Sequence, residues 1–241
     1  MSRPDFTIGK LHRTNGGALP TSHIQNVRKK LMGGGFVLLP SDTCYSLSAL
    51  AMDEGSRRAV NAILERKDEP ISLAFSSYSA VETLIQTDGT TAVLLEGFTP
   101  GPITVVCKAK EDVSEEFLRK AIASSDRTIG VRIPDSWIER DVAACTQFPL
   151  MSVAVRDQET GEAIQDFERA CELVGSRMER LGQWGWGAIE GDGFYASHST
   201  VVRVGGSFRV SLIRRGDIPF EEILALANRS AASRPAMEGS E

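Results

Sequence analysis

Histidine is scarce and cysteine is scattered. The three histidines, His12, His23 and His198, show no HExxH or other paired spacing that would set two ligands on one helix face. No metal site is signalled, and each reads as a surface or capping residue. The four cysteines, Cys44, Cys107, Cys145 and Cys171, are far apart and form no CxxC pair, so neither a zinc site nor a disulfide framework is signalled. They read as buried thiols in a reducing compartment. No stretch approaches the roughly 18 apolar residues of a membrane span, and Met-Ser-Arg-Pro-Asp-Phe at the N-terminus has no apolar leader core, so the expected location is the cytoplasm, with no membrane partner. Nor is there a Lys/Arg excess. A formal net charge of −5 argues against a surface that tracks nucleic acid throughout and leaves room only for a local basic groove. Internal repeats are missing, and low complexity is confined to a Ser/Ala/Pro-rich end from about residue 229.

What is present is a chain of 241 residues with 41% apolar content, enough for one full core. The alternation of elements reads as α/β. Ser22 with Gln25 resembles a capping box, Ile24, Val27 and Leu31 repeat at helical spacing, and Gly33 suits a left-handed cap, which predicts a helix over 22–32. The apolar run Phe36–Leu39 predicts a buried strand stopped by Pro40, with a turn of Ser41, Asp42 and Thr43 that sets small hydroxyls at the strand's C-terminal mouth. A helix from Ser56 ends at Arg66 and Lys67 before a strand at 71–75. Further helices are expected at 79–86, 90–97, 114–123 and 136–145, with strands at 103–108, 128–133 and 149–155. An amphipathic helix follows Asp166 and stops at Gly182.

The stretch 182–195 holds five glycines with Trp184, Trp186, Phe194 and Tyr195, open to two readings: an aromatic platform for a base, or a loop packed on its own rings. Val201–Val204 and Phe208–Ile213 alternate around Gly205-Gly206 as a hairpin, followed by a short helix at 219–228. The expected organisation is an N-terminal extension over 1–20, one domain over 21–228 and a disordered tail over 229–241.

The motifs then point one way. Leu39-Pro40-Ser41-Asp42-Thr43-Cys44-Tyr45-Ser46-Leu47 resembles the signature P-T-[DE]-T-x-Y-G-L of the YrdC-like family, with Ser41 for Thr and Ser46 for Gly. In the family's order follow Arg66-Lys67, Thr99-Pro100-Gly101-Pro102-Ile103-Thr104, Thr128-Ile129-Gly130-Val131-Arg132-Ile133-Pro134, Pro149-Leu150-Met151-Ser152, Ser199-Thr200-Val201-Val202 and Ile213-Arg214-Arg215-Gly216. Together they span about residues 24–218. The resemblance implies a twisted mixed β-sheet with flanking helices and a concave ligand-binding face.

It also implies the chemistry of threonylcarbamoyl-AMP synthases, enzymes of tRNA modification: an amino acid, bicarbonate as co-substrate and ATP with Mg2+ condense to a carbamoyl adenylate, and pyrophosphate leaves. Cations suit the triphosphate, and turn hydroxyls and backbone N–H groups suit a zwitterion. By match to the motifs, Ser41, Thr43, Tyr45, Thr104, Arg132, Ser199 and Thr200 would hold the small-molecule amino-acid substrate. Arg66, Lys67, Ser152 and Arg214 would meet the nucleotide, with Lys67 and Arg132 nearest the chemistry, and Arg156, which stands where the chain departs from the motif, would join them at the nucleotide. For each there is a plainer reading: Arg132 pairs with a carboxylate, Thr104 is a strand threonine, and Pro-Gly-Pro is a rigid corner.

The chain departs from the synthases at two places. Lys67-Asp68-Glu69-Pro70 puts Glu69 where K-x-R has its arginine, and Ala154-Val155-Arg156 replaces S-x-N. The YciO branch also lacks these elements, and the run from Thr99-Pro100-Gly101 through Arg127-Thr128-Ile129-Gly130-Val131-Arg132-Ile133-Pro134 resembles that branch more than the synthases. Arg156 could restore from the opposite wall the charge lost at Glu69, whereas a salt bridge between the two would close the cleft. The alternative to an enzyme is a non-catalytic nucleotide- or double-stranded-RNA-binding relative using Arg132, Arg214, Arg215 and Lys67. A narrow basic pocket would favour the enzyme, and a broad basic face RNA.

Overall fold

A computed structural model describes every residue except 12–17, 53, 68, 147, 183–184, 193, 195–197, 206–208 and 233–241, with residues 230–232 described by their backbone alone. Its strands are β1 (Phe6–Ile8), β2 (Phe36–Pro40), β3 (Tyr45–Leu50), β4 (Leu73–Ala74), β5 (Ile103–Lys108), β6 (Thr128–Arg132), β7 (Leu150–Ala154), β8 (Trp186–Ile189), β9 (Thr200–Val204) and β10 (Val210–Arg214). Its helices are α1 (Thr21–Met32), α2 (Glu54–Ile63), α3 (Tyr78–Val81), α4 (Gly89–Phe98), α5 (Trp137–Ala144), α6 (Phe167–Arg180) and α7 (Phe220–Ala232). The described strands form one mixed sheet in the order β1-β8-β2-β3-β7-β4-β6-β5-β9-β10.

The continuous apolar run of β2 follows from burial on both faces. Phe36 and Leu38 enter a large core with residues of α2, α4, α6 and α7, while Val37 and Leu39 point the other way, to Val27 and Leu31 of α1 and Ile138 and Val142 of α5. In β3 and β7, Leu50 and Leu150 belong to this second, smaller core, whereas Leu47, Ala49, Met151 and Val153 belong to the first. Period-two alternation therefore sends Ser46, Ser48 and Ser152 toward the α5 side.

Several expected elements differ. The N-terminal segment is not outside the domain, because β1 pairs in parallel with β8 at the sheet's edge. Thr21 opens α1 after Pro20, so Ser22 lies inside the helix and caps nothing, and Gly34, not Gly33, takes the positive φ of 76°. The helix expected at 79–86 stops after Val81, which frees Ile85 to bridge Ala109. The helix at 114–123 is a π-helical turn, Phe117–Ala121, and the strand at 71–75 shrinks to β4. Within 182–195, Trp186 is a fully buried strand residue, so it is no platform for a base; Trp184 and Tyr195 lie outside the described residues. The last helix runs past residue 229 to Ala232.

Gly187 explains how β1 docks. A Cβ there would lie 2.1 Å from the Phe6 ring. Gly187→Ala should therefore force Phe6 off the sheet and lower stability by about 1–3 kcal/mol, the usual range for overpacking. Urea unfolding checks this, and an unchanged midpoint would show that β1 contributes nothing to the fold.

Candidate active site

Helices α1 and α5 cover the β8-β2-β3-β7-β4 part of their side of the sheet. Beyond them the same side is open, and a cleft of about 220 Å³ forms there. It gathers Thr43, Arg66, Thr104, Arg132, Ser152, Arg156, Ser199 and Arg214, from seven separate stretches of the chain. The concave face expected from the motifs is this opening.

Its floor is the turn after β2. Asp42 is fully buried: its Oδ1 accepts from Arg132 Nη2 at 2.5 Å and from Ser41 Oγ at 3.1 Å, and its Oδ2 accepts from the Asp135 backbone N–H at 3.1 Å. Arg132 Nη2 also donates to Ser41 Oγ at 3.0 Å. Burial opposes the Arg132 charge, but Asp42 and Glu139 outweigh it and hold the guanidinium above its ordinary value. Arg132 Nε is buried and makes no hydrogen bond. Beside the pair stands a shelf of hydroxyls, with Ser152 Oγ donating to Ser46 Oγ at 3.0 Å and accepting from Ser48 Oγ at 3.3 Å. The serine at 46 thus gives Ser152 a partner that a glycine would not.

The walls carry the other cations. Arg66, just past α2, donates to Asn61 Oδ1 and to Glu69 Oε2, each at 3.2 Å. Arg156 donates to the Gly161 carbonyl at 3.0 Å and meets His198 Nε2 at 3.1 Å; since a guanidinium only donates, that ring nitrogen accepts. Arg214 Nε and Nη2 both donate to the Ser199 carbonyl, at 3.2 and 2.9 Å. That contact requires the chain after β10 to lie on Ser199 and Thr200, and a Cβ on Gly216 would come within 2.3 Å of the Thr200 nitrogen, which explains glycine in Arg214-Arg215-Gly216. Burial lowers the Arg214 pKa from its ordinary value, and the cations of Arg156, Arg132 and Arg66 lower it further. Four like charges thus share one small space. Glu69 pairs with Arg66 and Asp42 with Arg132, while Arg156 and Arg214 have no ion pair among the described residues. Glu69 does not bridge to Arg156, so the cleft is not closed that way.

Four expected site residues lie outside the lining. Ser41 supports Arg132 from below. The Tyr45 hydroxyl is used twice by Gly191, donating to its carbonyl at 2.8 Å and accepting from its N–H at 3.0 Å, while the ring packs against Phe167 and Phe194. Burial pushes this hydroxyl up to about 12. Thr200 Oγ1 donates to the Ile218 carbonyl at 2.7 Å and holds the segment after β10. Lys67 is exposed on the loop after α2.

Conversely, three residues assigned no role from sequence sit at the site: Asp42, His198 and Glu139. Asp42 was visible within the motif. His198 adjoins Ser199, and only the fold brings it to Arg156. Glu139 occupies a cap-like position, three residues after Ser136, and nothing in its spacing signals a site.

The family model named Sua5–YciO–YrdC and described as telomere recombination matches residues 29–216. A Methanocaldococcus jannaschii protein, provisionally named a threonylcarbamoyl-AMP synthase, is 24% identical over 201 residues, covering 83% of this chain and 88% of its own. Among solved structures, Pyrococcus abyssi Sua5 complexed with L-threonine superposes with a TM-score of 0.73 at 21% identity, over 92% of this chain and 60% of that one. Escherichia coli YciO superposes with a TM-score of 0.72 at 19% identity, over 92% of this chain and all of its own.

Proposed function

Because the chain belongs to the Sua5–YciO–YrdC family, we propose that it binds ATP and a small amine-bearing substrate, an amino acid or a close relative, in the arginine-lined cleft and forms a carbamoyl adenylate. The observation that carries this reading is the convergence of Arg66, Arg132, Arg156 and Arg214 with Thr43, Thr104, Ser152 and Ser199 in one narrow cleft. Arginines without carboxylate partners suit phosphate oxygens, and hydroxyls suit an ammonium and a carboxylate.

In the proposed reaction the substrate amine attacks the carbon of bicarbonate and water is lost, giving a carbamate. A carbamate oxygen then attacks the α-phosphorus of ATP, the bond from that phosphorus to the bridging oxygen of the β-phosphate breaks, and pyrophosphate carries away the electron pair. Arg156 and Arg214 neutralise charge growing on the leaving group, while Thr43, Thr104 and Ser199 orient the substrate. Arg132 lies between the two ligands. Mg2+ enters as part of the nucleotide substrate; among the described residues no group of three His, Cys, Asp or Glu is placed to hold a metal. A product of this kind would serve tRNA modification. The surrounding cations do not extend the cleft into a broad basic face: Arg203 pairs with Asp126, Arg127 with Glu115 and Lys120 with Glu116. This favours a small-molecule site over an RNA-binding surface.

The test is to incubate the protein with ATP, bicarbonate and a mixture of amino acids and to follow pyrophosphate and new adenylates by mass spectrometry. An adenylate whose formation requires bicarbonate is expected, and its absence from folded protein that binds ATP would overturn the reaction. Arg214→Ala should weaken ATP binding by about 1.5–3 kcal/mol, roughly ten- to hundredfold in Kd by calorimetry.

A further inference from the structure

Glu139 stands apart among the carboxylates of the described residues. It is fully buried in the first turn of α5, and neither carboxyl oxygen makes a hydrogen bond. Its position invites a plain explanation. Ser136 caps α5, accepting from the Glu139 N–H at 3.3 Å, and in a capping box the glutamate would reach back to the cap residue's own N–H. The Glu139 carboxyl does not do so. It turns toward the sheet, where Arg132 and Asp42 bear on it.

The groups facing it are few. Arg132 comes from β6, and Asp42 and Cys44 come from the β2–β3 turn. Strands β2 and β4, which also pack on α5, carry no charged residues. From α1, Arg28 bears on Cys145 at the far end of α5. On α5 itself, Arg140 donates to the Pro134 carbonyl at 2.6 Å and Asp141 accepts from the Leu19 N–H at 2.6 Å. Ser152 and Ser41 lie near enough to favour the ionised form, but neither hydroxyl reaches hydrogen-bond geometry with Glu139. Ser152 already donates to Ser46, and Ser41 to Asp42.

We propose that Glu139 is a positioning residue that couples anion binding in the cleft to a proton, so that the cleft is strongly anion-binding only while Glu139 is neutral. The inference rests on the cleft being an anion site, as in the reading above. When Glu139 is neutral, Asp42 and Arg132 balance each other and leave the Arg156 and Arg214 charges for the ligand. When Glu139 is ionised, Arg132 is shared between two carboxylates and the floor carries a net negative charge. An arriving anion therefore favours the neutral acid, and by linkage the neutral acid favours the anion. Burial pushes the Glu139 carboxyl above its usual range against the pull of Arg132, with Asp42 adding to the rise, which is the direction this coupling needs. Anion affinity should accordingly rise as pH falls.

The experiment is calorimetric titration of ATP, and separately of inorganic pyrophosphate, into the full chain and into Glu139→Gln. It runs from pH 5.5 to 8.5 in buffers of different ionisation enthalpy. The wild type should take up protons on binding beyond those taken up with the Gln variant, and its affinity should change about tenfold more across the range. Protonation of the ligands themselves is common to both proteins and cancels. Glu139→Leu carries the same expectation should the amide prevent folding. Identical proton uptake and pH profiles in wild type and variant would overturn the coupling while leaving the anion site intact. Proton-coupled binding of pyrophosphate without binding of ATP would support the coupling and overturn the nucleotide reading. No binding of either ligand would overturn both.

Discussion

Asp42→Asn should destabilise the protein by about 3–5 kcal/mol, the cost of leaving a buried cation without its partner. Asp42 is wholly inaccessible and accepts from Arg132, Ser41 and the Asp135 N–H, so the amide would meet three donors with one carbonyl oxygen. Arg132 has little recourse, since its Nε already lacks a partner. Urea unfolding measures the loss. A loss below about 1 kcal/mol would mean that Glu139 ionises and takes over the guanidinium, and the double change Asp42→Asn, Glu139→Gln would then lose far more than the two single changes together. Either result bears on the cleft as well as the fold, because the pair that stabilises the turn also aims Arg132.

This dual role shows what was legible in the sequence. The plain reading of Arg132, that it pairs with a carboxylate, is met by the structure, and the same side chain lines the cleft where the functional reading would need it. Motifs far apart in the chain, from Thr43 to Arg214, were readable as one set, and the fold brings eight of the residues they named into one cleft. The residues that missed the lining do so for local geometric reasons. Tyr45 opens β3 on the face turned to α6, opposite Ser46. Lys67 follows Arg66 on an irregular loop, exposed and outside the lining. Thr200 is the strand neighbour of Ser199 and faces Ile218.

The unexpected strands have similar causes. In β3 the alternation Tyr45, Leu47, Ala49 lies within a motif whose turn residues dominate its appearance. In β8, Gly187 looks like a loop residue, yet it is there because Phe6 needs the space. Glu139 was illegible because a buried acid and a capping acid share one pattern; only its missing hydrogen bonds tell them apart.

The largest functional effect is expected where the chain departs from the synthases. The unmodified protein should make about 10²–10³-fold less threonylcarbamoyl-AMP from threonine than a family synthase assayed beside it, the effect of losing one pre-placed polar group in such a site. The geometry refines what each change would do. Glu69 holds Arg66 at 3.2 Å and does not face Arg156, so Glu69→Arg should release Arg66 toward the phosphates and improve ATP affinity several-fold. Turnover should stay low in that variant, because Ala154 and Arg156, both at the cleft wall, still lack the serine and amide that the synthases carry there. Arg156→Asn alone should weaken ATP binding, since it removes one of the two cations without a carboxylate partner.

Only Glu69→Arg, Ala154→Ser and Arg156→Asn together should raise synthesis from threonine, because groups that act as a unit are not additive. Single-turnover assays with ATP, bicarbonate and threonine separate binding from chemistry in each variant. Robust synthesis by the unmodified protein would refute the premise. Arg156, steadied by His198 and the Gly161 carbonyl, would then already supply what the other synthases obtain from an amide and a second loop cation.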